Sequence, residues 1–444
     1  MLSEQKTRSL CPVCLASIPA WRVNSGADTV SLSKRCPEHG EFSTVIWRGA
    51  PAFAHWKRPK TPSQPPVCHT RTHNGCPFDC GLCPQHAQHT CTTLLEVTQG
   101  CNLGCPVCFA RSGGHSRDPD LSTLKGHLEH IRATAGACTL QISGGEPTIR
   151  EDLPEIIRLA AAQGFSLVQL NTNGLRLARE AEYAQDLAQA GLESAYLQFD
   201  SLRDEALCEL RGAPLAGEKK KAVQALARAG IGIVLVPTLV PGVNTEDIGD
   251  LVRFALEHHP AVRGIHFQPV SYFGRYPAPP RDADRLTLPE IMRALEEQTQ
   301  GLVRCQDFQP PGCEHALCSF HAAYMRTPAG GLQRLGRGCC QCGPEEAADG
   351  ARQTVRLTSQ RWRHPGTEDT SLSAGDDLDR FLLQARQHTF TISGMAFQDA
   401  WTLDLERLRG CCIHVLAPDG RLIPFCAYNL TAADGRGLYR KNRV

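Results

Sequence analysis

Between residues 93 and 300 the chain repeats one pattern: a short apolar run, a polar break, then an amphipathic stretch. The runs Leu94–Thr98, Thr139–Ser143, Ser166–Asn171, Ala195–Asp200, Ile231–Thr238 and Gly264–Val270 have the length of buried strands. Between them, apolar residues recur at helical spacing. Leu121, Leu124, Leu128 and Ile131 mark one face, and Leu153, Ile156, Ile157 and Ala160 a second. Pro154 falls near that helix's start, where its missing N–H is tolerated. Ile248, Leu251 and Phe254 mark a third helix, with Thr245 as the expected cap. Strands alternating with helices make parallel βαβ units. Six such units predict an α/β fold, an incomplete TIM-like barrel with its site at the C-terminal ends of the strands.

Outside this stretch the periodicity lapses and cysteine takes over. Four regions are expected: a metal module at 1–60, a Cys-rich segment at 61–92, the barrel at 93–300 and a C-terminal cysteine-bearing domain at 301–444. The four prolines from Arg58 to Pro66 read as a linker. Near the C-terminus a hairpin is expected, Cys412–Leu416 and Arg421–Phe425 about the turn Ala417-Pro418-Asp419-Gly420. Phe381, Leu382, Leu383, Phe390 and Phe397 suit either core packing or the lining of an apolar channel.

The chain has 22 cysteines in 444 residues, too long and too sparse for a small secreted disulfide scaffold. Clustered thiols in a reducing compartment point to metal. The start is polar and no apolar run reaches membrane-spanning length, so a cytoplasmic location is expected. A net charge of +1 and 6% aromatic residues argue against a nucleic-acid partner.

One cluster of cysteines sits where the barrel needs its site. Cys101, Cys105 and Cys108, spaced Cys-x3-Cys-x2-Cys, directly follow the first strand, with Gly104 allowing a tight loop. Three thiolates on one loop ligate three irons of a 4Fe–4S cubane and leave the fourth open. An open iron can bind the amino and carboxylate groups of S-adenosylmethionine (SAM), whose reductive cleavage yields a 5′-deoxyadenosyl radical. Gly144-Gly145-Glu146-Pro147 follows the second strand, offering backbone and a carboxylate to SAM. Asn171, Thr172 and Asn173 end the third strand, and Gln198, Asp200 and Gln268 lie near the ends of later ones, as further candidate contacts. A zinc knuckle accounts for the thiols but not for the Gly-Gly-Glu-Pro.

The remaining cysteines form three groups. Cys76, Cys80 and Cys83, with Cys91 as a fourth thiolate, suit a closed auxiliary cluster; zinc with His86 or His89 is the other reading. Cys11, Cys14, Cys36 and His39 form two knuckles about twenty residues apart, suited to one mononuclear iron or zinc. Of the C-terminal cysteines, Cys313, Cys318, Cys412 and Cys426 are the preferred quartet for another cluster. Cys339, Cys340, Cys342 and Cys411 remain as further candidates, and Cys138, Cys208 and Cys305 as ordinary thiols.

The Cys-x3-Cys-x2-Cys loop and the Gly-Gly-Glu-Pro motif resemble the radical SAM superfamily over residues 93–300, which implies a partial (β/α)6 barrel. One departure is Val107, where an aromatic residue usually precedes the third cysteine; Phe109 follows it instead. The wider set resembles the archaeal tetraether lipid synthase group over most of the chain. That set is Cys-Pro-x-Cys … Cys-Pro-Glu-His-Gly, then Cys76-Pro77-Phe78-Asp79-Cys80-Gly81-Leu82-Cys83, then Cys412-Ile413-His414-Val415 and Pro424-Phe425-Cys426-Ala427-Tyr428-Asn429. The group is related to radical SAM dihydropterin methyltransferases. This resemblance implies three 4Fe–4S clusters (one binding SAM, two auxiliary), a rubredoxin-like mononuclear iron, and hydrogen abstraction from an unactivated C–H bond. The first expectation is coupling of lipid alkyl chains, with membrane contact only in that case. The alternative is methylation of a pterin-like heterocycle. A reductant such as flavodoxin or ferredoxin is expected in both. A non-catalytic electron-transfer protein explains the clusters but not Gly144-Gly145-Glu146.

Overall fold

A computed structural model of the protein describes residues 4–440 except 27, 114–116, 181, 337–343, 367–384 and 386. Cys339, Cys340, Cys342, Phe381, Leu382 and Leu383 lie outside the described residues.

The six expected strands form within a residue or two of their predicted limits: Thr92–Thr98, Thr139–Gly144, Leu167–Thr172, Ser194–Gln198, Gly232–Val236 and Val262–Pro269. They pair in chain order, each parallel to the next. Their outward side chains are aliphatic and buried under the connecting helices. Helix Leu121–Ala135 puts Leu124, Leu128 and Ile131 on the sheet, and Asp120 caps it by accepting a bond from the Thr123 N–H. Helix Leu153–Ala162 buries Leu153, Ile156, Ile157 and Ala160. Thr245 does not cap the third helix. It opens a 3₁₀ turn, Thr245–Asp247, that feeds Ile248–Glu257.

Residues beyond 300 continue this sheet at both edges. Thr389–Met395 adds parallel to the sixth strand, and Ser319–Arg326 adds antiparallel to Thr389–Met395. At the opposite edge Ile413–Leu416 lies parallel to the first strand and turns back as Leu422–Pro424, which is the expected hairpin. The C-terminal region therefore flanks the barrel sheet on both sides, within one 12-stranded sheet. Phe390 packs in the core on one of these strands.

The N-terminal strands Glu4–Leu10, Ser17–Asn24, Thr29–Cys36 and Gly40–Arg48 form a separate antiparallel sheet. It docks on residues 399–406 through buried polar contacts. Arg22 Nε donates to Asp404 at 2.7 Å, Thr7 Oγ1 to the same carboxylate at 2.8 Å, and Lys34 Nζ to the Ala400 carbonyl at 2.8 Å. Among the described residues, no helix is long and apolar enough to cross a membrane.

Candidate active site

The Cys101–Cys108 loop is held against the ends of the second and sixth strands by backbone. The N–H of Gly145 donates to Thr98 O and that of Glu146 to Gly100 O, both at 2.8 Å. A Cβ on Gly144 would lie 2.2 Å from Thr98 O, and one on Gly145 1.9 Å from Gly100 O. The two glycines thus let the second strand's end touch the base of the cysteine loop, a closer approach than any side chain permits. On the other side Cys108 and Arg275 exchange backbone hydrogen bonds at 2.9 and 3.0 Å, and Arg275 Nε donates to Cys105 O at 3.0 Å. Phe109 leans on Phe425, with ring centroids 5.5 Å apart. Burial pushes the Cys101 thiol up to about 11. The donor chemistry, three thiols on a fixed loop at the mouth of a cavity, fits a cluster with one open iron.

Two of the expected contacts make structural bonds, Glu146 from the cavity wall and Asp200 from behind it. The Glu146 carboxylate accepts from Thr148 N, Thr148 Oγ1, Thr172 Oγ1 and Asn173 N at 2.7–3.1 Å, so it clamps the second strand's end to the third. Asp200 is fully buried in a bidentate pair with Arg211, at 2.7 and 2.6 Å, and also accepts the Thr238 N–H. It does not line the cavity; Arg211 does, with its charge near Cys105. Burial opposes the Arg211 charge, but Asp200 more than offsets this and raises its pKa. Lys219, also fully buried, donates to Asn173 O at 2.6 Å, and burial lowers it to about 8 against the pull of Asp200. Pro147 is buried in the turn behind Glu146. Asn173 Nδ2 reaches Asn102 Oδ1 at 2.7 Å, tying the third strand to the cysteine loop.

Below this loop a cavity of about 760 Å³ runs down the barrel lumen. Its walls are the inward positions of successive strands: Gln141 and Ser143, Asn171, Tyr196 and Gln198, His266 and Gln268, Thr391 and Ser393. Side chains two residues apart on one strand face the same way, so each strand contributes a polar pair or single group. Asn171 Nδ2 donates to Gln141 Oε1 at 3.2 Å, while Asn171 Oδ1 is buried with no partner. His266 Nδ1 meets Ser393 Oγ at 2.8 Å, and burial lowers the imidazole to about 4, so it is neutral. The mouth is apolar, with Val107, Phe109, Val240, Phe273, Phe397 and Phe425.

The cysteines group differently from the expectation. Cys11, Cys14, Cys36 and His39 come together as expected, their ligand atoms all within 4.8 Å of one another. Cys91, expected beside Cys76, Cys80 and Cys83, instead joins Cys313 and Cys412 within the same distance. Cys91 directly precedes the first barrel strand and Cys412 precedes the strand paired with it, and the Cys91 N–H donates to Cys412 O at 2.8 Å. Cys76, Cys80 and Cys83 stay together around one small cavity, with Tyr439 Oη accepting the Cys80 N–H at 3.0 Å. His86 lines that cavity too, and its Nε2 bonds the Cys411 carbonyl at 2.8 Å, which leaves Nδ1 as the ring nitrogen able to ligate; His89 Nε2 bonds the Gln64 carbonyl at 2.8 Å. The expected C-terminal quartet divides: Cys313 and Cys412 are in the Cys91 group, while Cys318 and Cys426 are not.

Several residues at the site carry no signal in the sequence. Arg211 ends helix Asp204–Arg211 and Lys219 sits in the first turn of Ala216–Arg228, where basic residues read as solvated. Arg440 reaches from the C-terminus to pair with Glu96 on the first strand.

Residues 95–255 match the radical SAM superfamily, and residues 4–48 match the HMPTM N-terminal zinc ribbon domain. The chain is 34% identical to the 7,8-dihydro-6-hydroxymethylpterin dimethyltransferase of Methanocaldococcus jannaschii, over 96% of this chain and 93% of that protein. It is 30% identical to the GTP 3′,8-cyclase of Geobacter sulfurreducens over 40% of this chain and 55% of that one. A probable GTP 3′,8-cyclase of Methanopyrus kandleri is 30% identical over 48% of this chain and 66% of its own length. The first relative's name agrees with the heterocycle alternative rather than with the coupling of lipid chains. Aligned with that methyltransferase from the zinc ribbon to the C-terminal cysteines, this chain is a radical SAM enzyme of the same family.

Proposed function

We propose that the enzyme methylates a reduced pterin-like heterocycle seated in the barrel lumen. The observation that carries this reading is the polar lumen: amide, hydroxyl and imidazole groups line it below the cysteine loop. Such groups can hydrogen-bond the ring nitrogens, amino group and carbonyl of a heterocycle. An alkyl chain offers no such group. The name of the full-length relative supports the same substrate class.

In this reading Cys101, Cys105 and Cys108 hold a 4Fe–4S cluster, and Gln198, Gln268 and Asn173 lie where SAM would reach toward the lumen. When bound, cluster and SAM supply a 5′-deoxyadenosyl radical able to take hydrogen from an unactivated carbon. The methyl donor is SAM or a folate, and a flavodoxin or ferredoxin supplies electrons. The chain's own part is placement: Gly144 and Gly145 fix the loop, Arg211 holds positive charge beside Cys105, and the lumen amides orient the heterocycle away from water.

The apolar mouth favours a second reading, hydrogen abstraction from a lipid alkyl chain entering between Phe109, Phe397 and Phe425. Anaerobic turnover separates the two. With the reconstituted enzyme and a low-potential reductant, 7,8-dihydro-6-hydroxymethylpterin should raise 5′-deoxyadenosine formation and give a methylated pterin by mass. Stimulation by a membrane lipid and none by the pterin would overturn the reading.

A further inference from the structure

We propose that Glu314 is the fourth donor of a metal centre held by Cys91, Cys313 and Cys412, giving a three-thiolate, one-carboxylate site that opens on the lumen. The three sulfurs already lie within 4.8 Å of one another, and among the described residues no fourth ligand atom, that of Glu314 included, yet lies within this distance of all three. Glu314 Oε2 lies 3.9 Å from the Cys412 sulfur. Two ligands on one tetrahedral ion, with bonds of about 2.0–2.3 Å, stand roughly 3.5–3.8 Å apart.

The surroundings hold the carboxylate in that attitude. Ser319 Oγ donates to Glu314 Oε1, which leaves Oε2 for the sulfur side. The backbone carrying Cys313 and Glu314 is pinned as well. Gln88 Nε2 donates to Cys313 O at 2.6 Å, and Lys60 Nζ donates to the carbonyls of both residues. Cys91, Glu314 and Cys412 all line the lumen cavity. The first barrel strand, seven residues at about 3.3 Å each, puts this site roughly 20 Å below the cysteine loop, at the other end of the same space.

A carboxylate is a harder and more replaceable ligand than thiolate on a thiophilic metal such as iron or zinc. The lower centre therefore has one exchangeable position, and that position faces whatever fills the lumen. This inference concerns a centre apart from the SAM loop and stands whichever substrate the enzyme takes.

The test uses anaerobically purified full-length enzyme and reads metal, not turnover. Iron and zinc released to excess chelator are followed in time for the unsubstituted chain, Cys313→Ala, Glu314→Gln, Glu314→Ala and Glu314→Cys. Cys313→Ala should lack one centre and so identify its share of the metal. Glu314→Ala and the isosteric Glu314→Gln should release that same share at least about tenfold faster, and Glu314→Cys should restore retention. Glu209→Gln, an acid elsewhere on the cavity wall, should release metal at the unsubstituted rate. Release from Glu314→Gln and Glu314→Ala no faster than from the unsubstituted chain would overturn the proposal.

Discussion

The upper end of the lumen takes three thiols from a single loop, Cys101 to Cys108, while the lower end takes Cys91, Cys313 and Cys412 from three distant segments. The upper loop depends on local backbone, with Gly144 and Gly145 packed under it and Arg275 hydrogen-bonded along one side. The lower group depends on the whole sheet. Cys91 and Cys412 meet only because Ile413–Leu416 pairs with the first strand. Cys313 belongs to the segment leading into Ser319–Arg326, towards the opposite edge. The two ends should therefore fail differently, the upper in chemistry and the lower in architecture.

The largest expected effect is at the upper end. Cys105→Ala should abolish SAM cleavage, measured as 5′-deoxyadenosine, with iron lowered by about one cubane and the thermal midpoint nearly unchanged. Surviving cleavage would place the catalytic cluster elsewhere. Next comes the charge pair that supports this loop. Arg211→Gln strands Asp200 in the core and should cost about 3–5 kcal/mol in urea unfolding. Asp200→Asn combined with it should recover most of that loss. At the lower end, Cys412→Ser should cost on the order of 3 kcal/mol and release metal, while the upper cluster keeps its SAM-dependent EPR change. An unaltered unfolding curve would erase the contrast between the two ends.

Between the ends, Asn171→Leu should raise the KM for a pterin about tenfold and leave uncoupled SAM cleavage intact. The smallest effect is with pH. Burial lowers His259, His266 and His321 to about 4 from the ordinary 6.5. Between those values the unfolded chain binds more protons than the folded one, so stability falls as pH drops from 6.5 towards 4. His266→Gln should flatten that slope by about 1 kcal/mol per pH unit. An unchanged slope would mean that the lumen imidazole is already protonated in the folded chain.

This contrast also decides what the sequence discloses. The six strands, the cysteine loop and the Cys11–His39 knuckles are local patterns, so periodicity and spacing reveal them. Cys91 is eight residues beyond Cys83 and spacing assigns it there, yet strand pairing places it beside Cys412. Asp200 has a similar history: a carboxylate at a strand end reads alike whether it faces a cavity or an arginine. Arg211 and Glu314 carry no motif because their partners are brought near by tertiary packing alone.

The positions of Cys91 and Cys412 also set an order of events during synthesis. The upper loop and its supporting glycines emerge early from the ribosome and can accept iron as soon as the first two strands pair. The lower site cannot exist until Cys412 has been made, 304 residues after Cys108. A nascent chain arrested before residue 411 should therefore bind metal at the upper loop and at the ribbon but leave Cys91 alkylatable, and thiol labelling of stalled chains would reveal that difference.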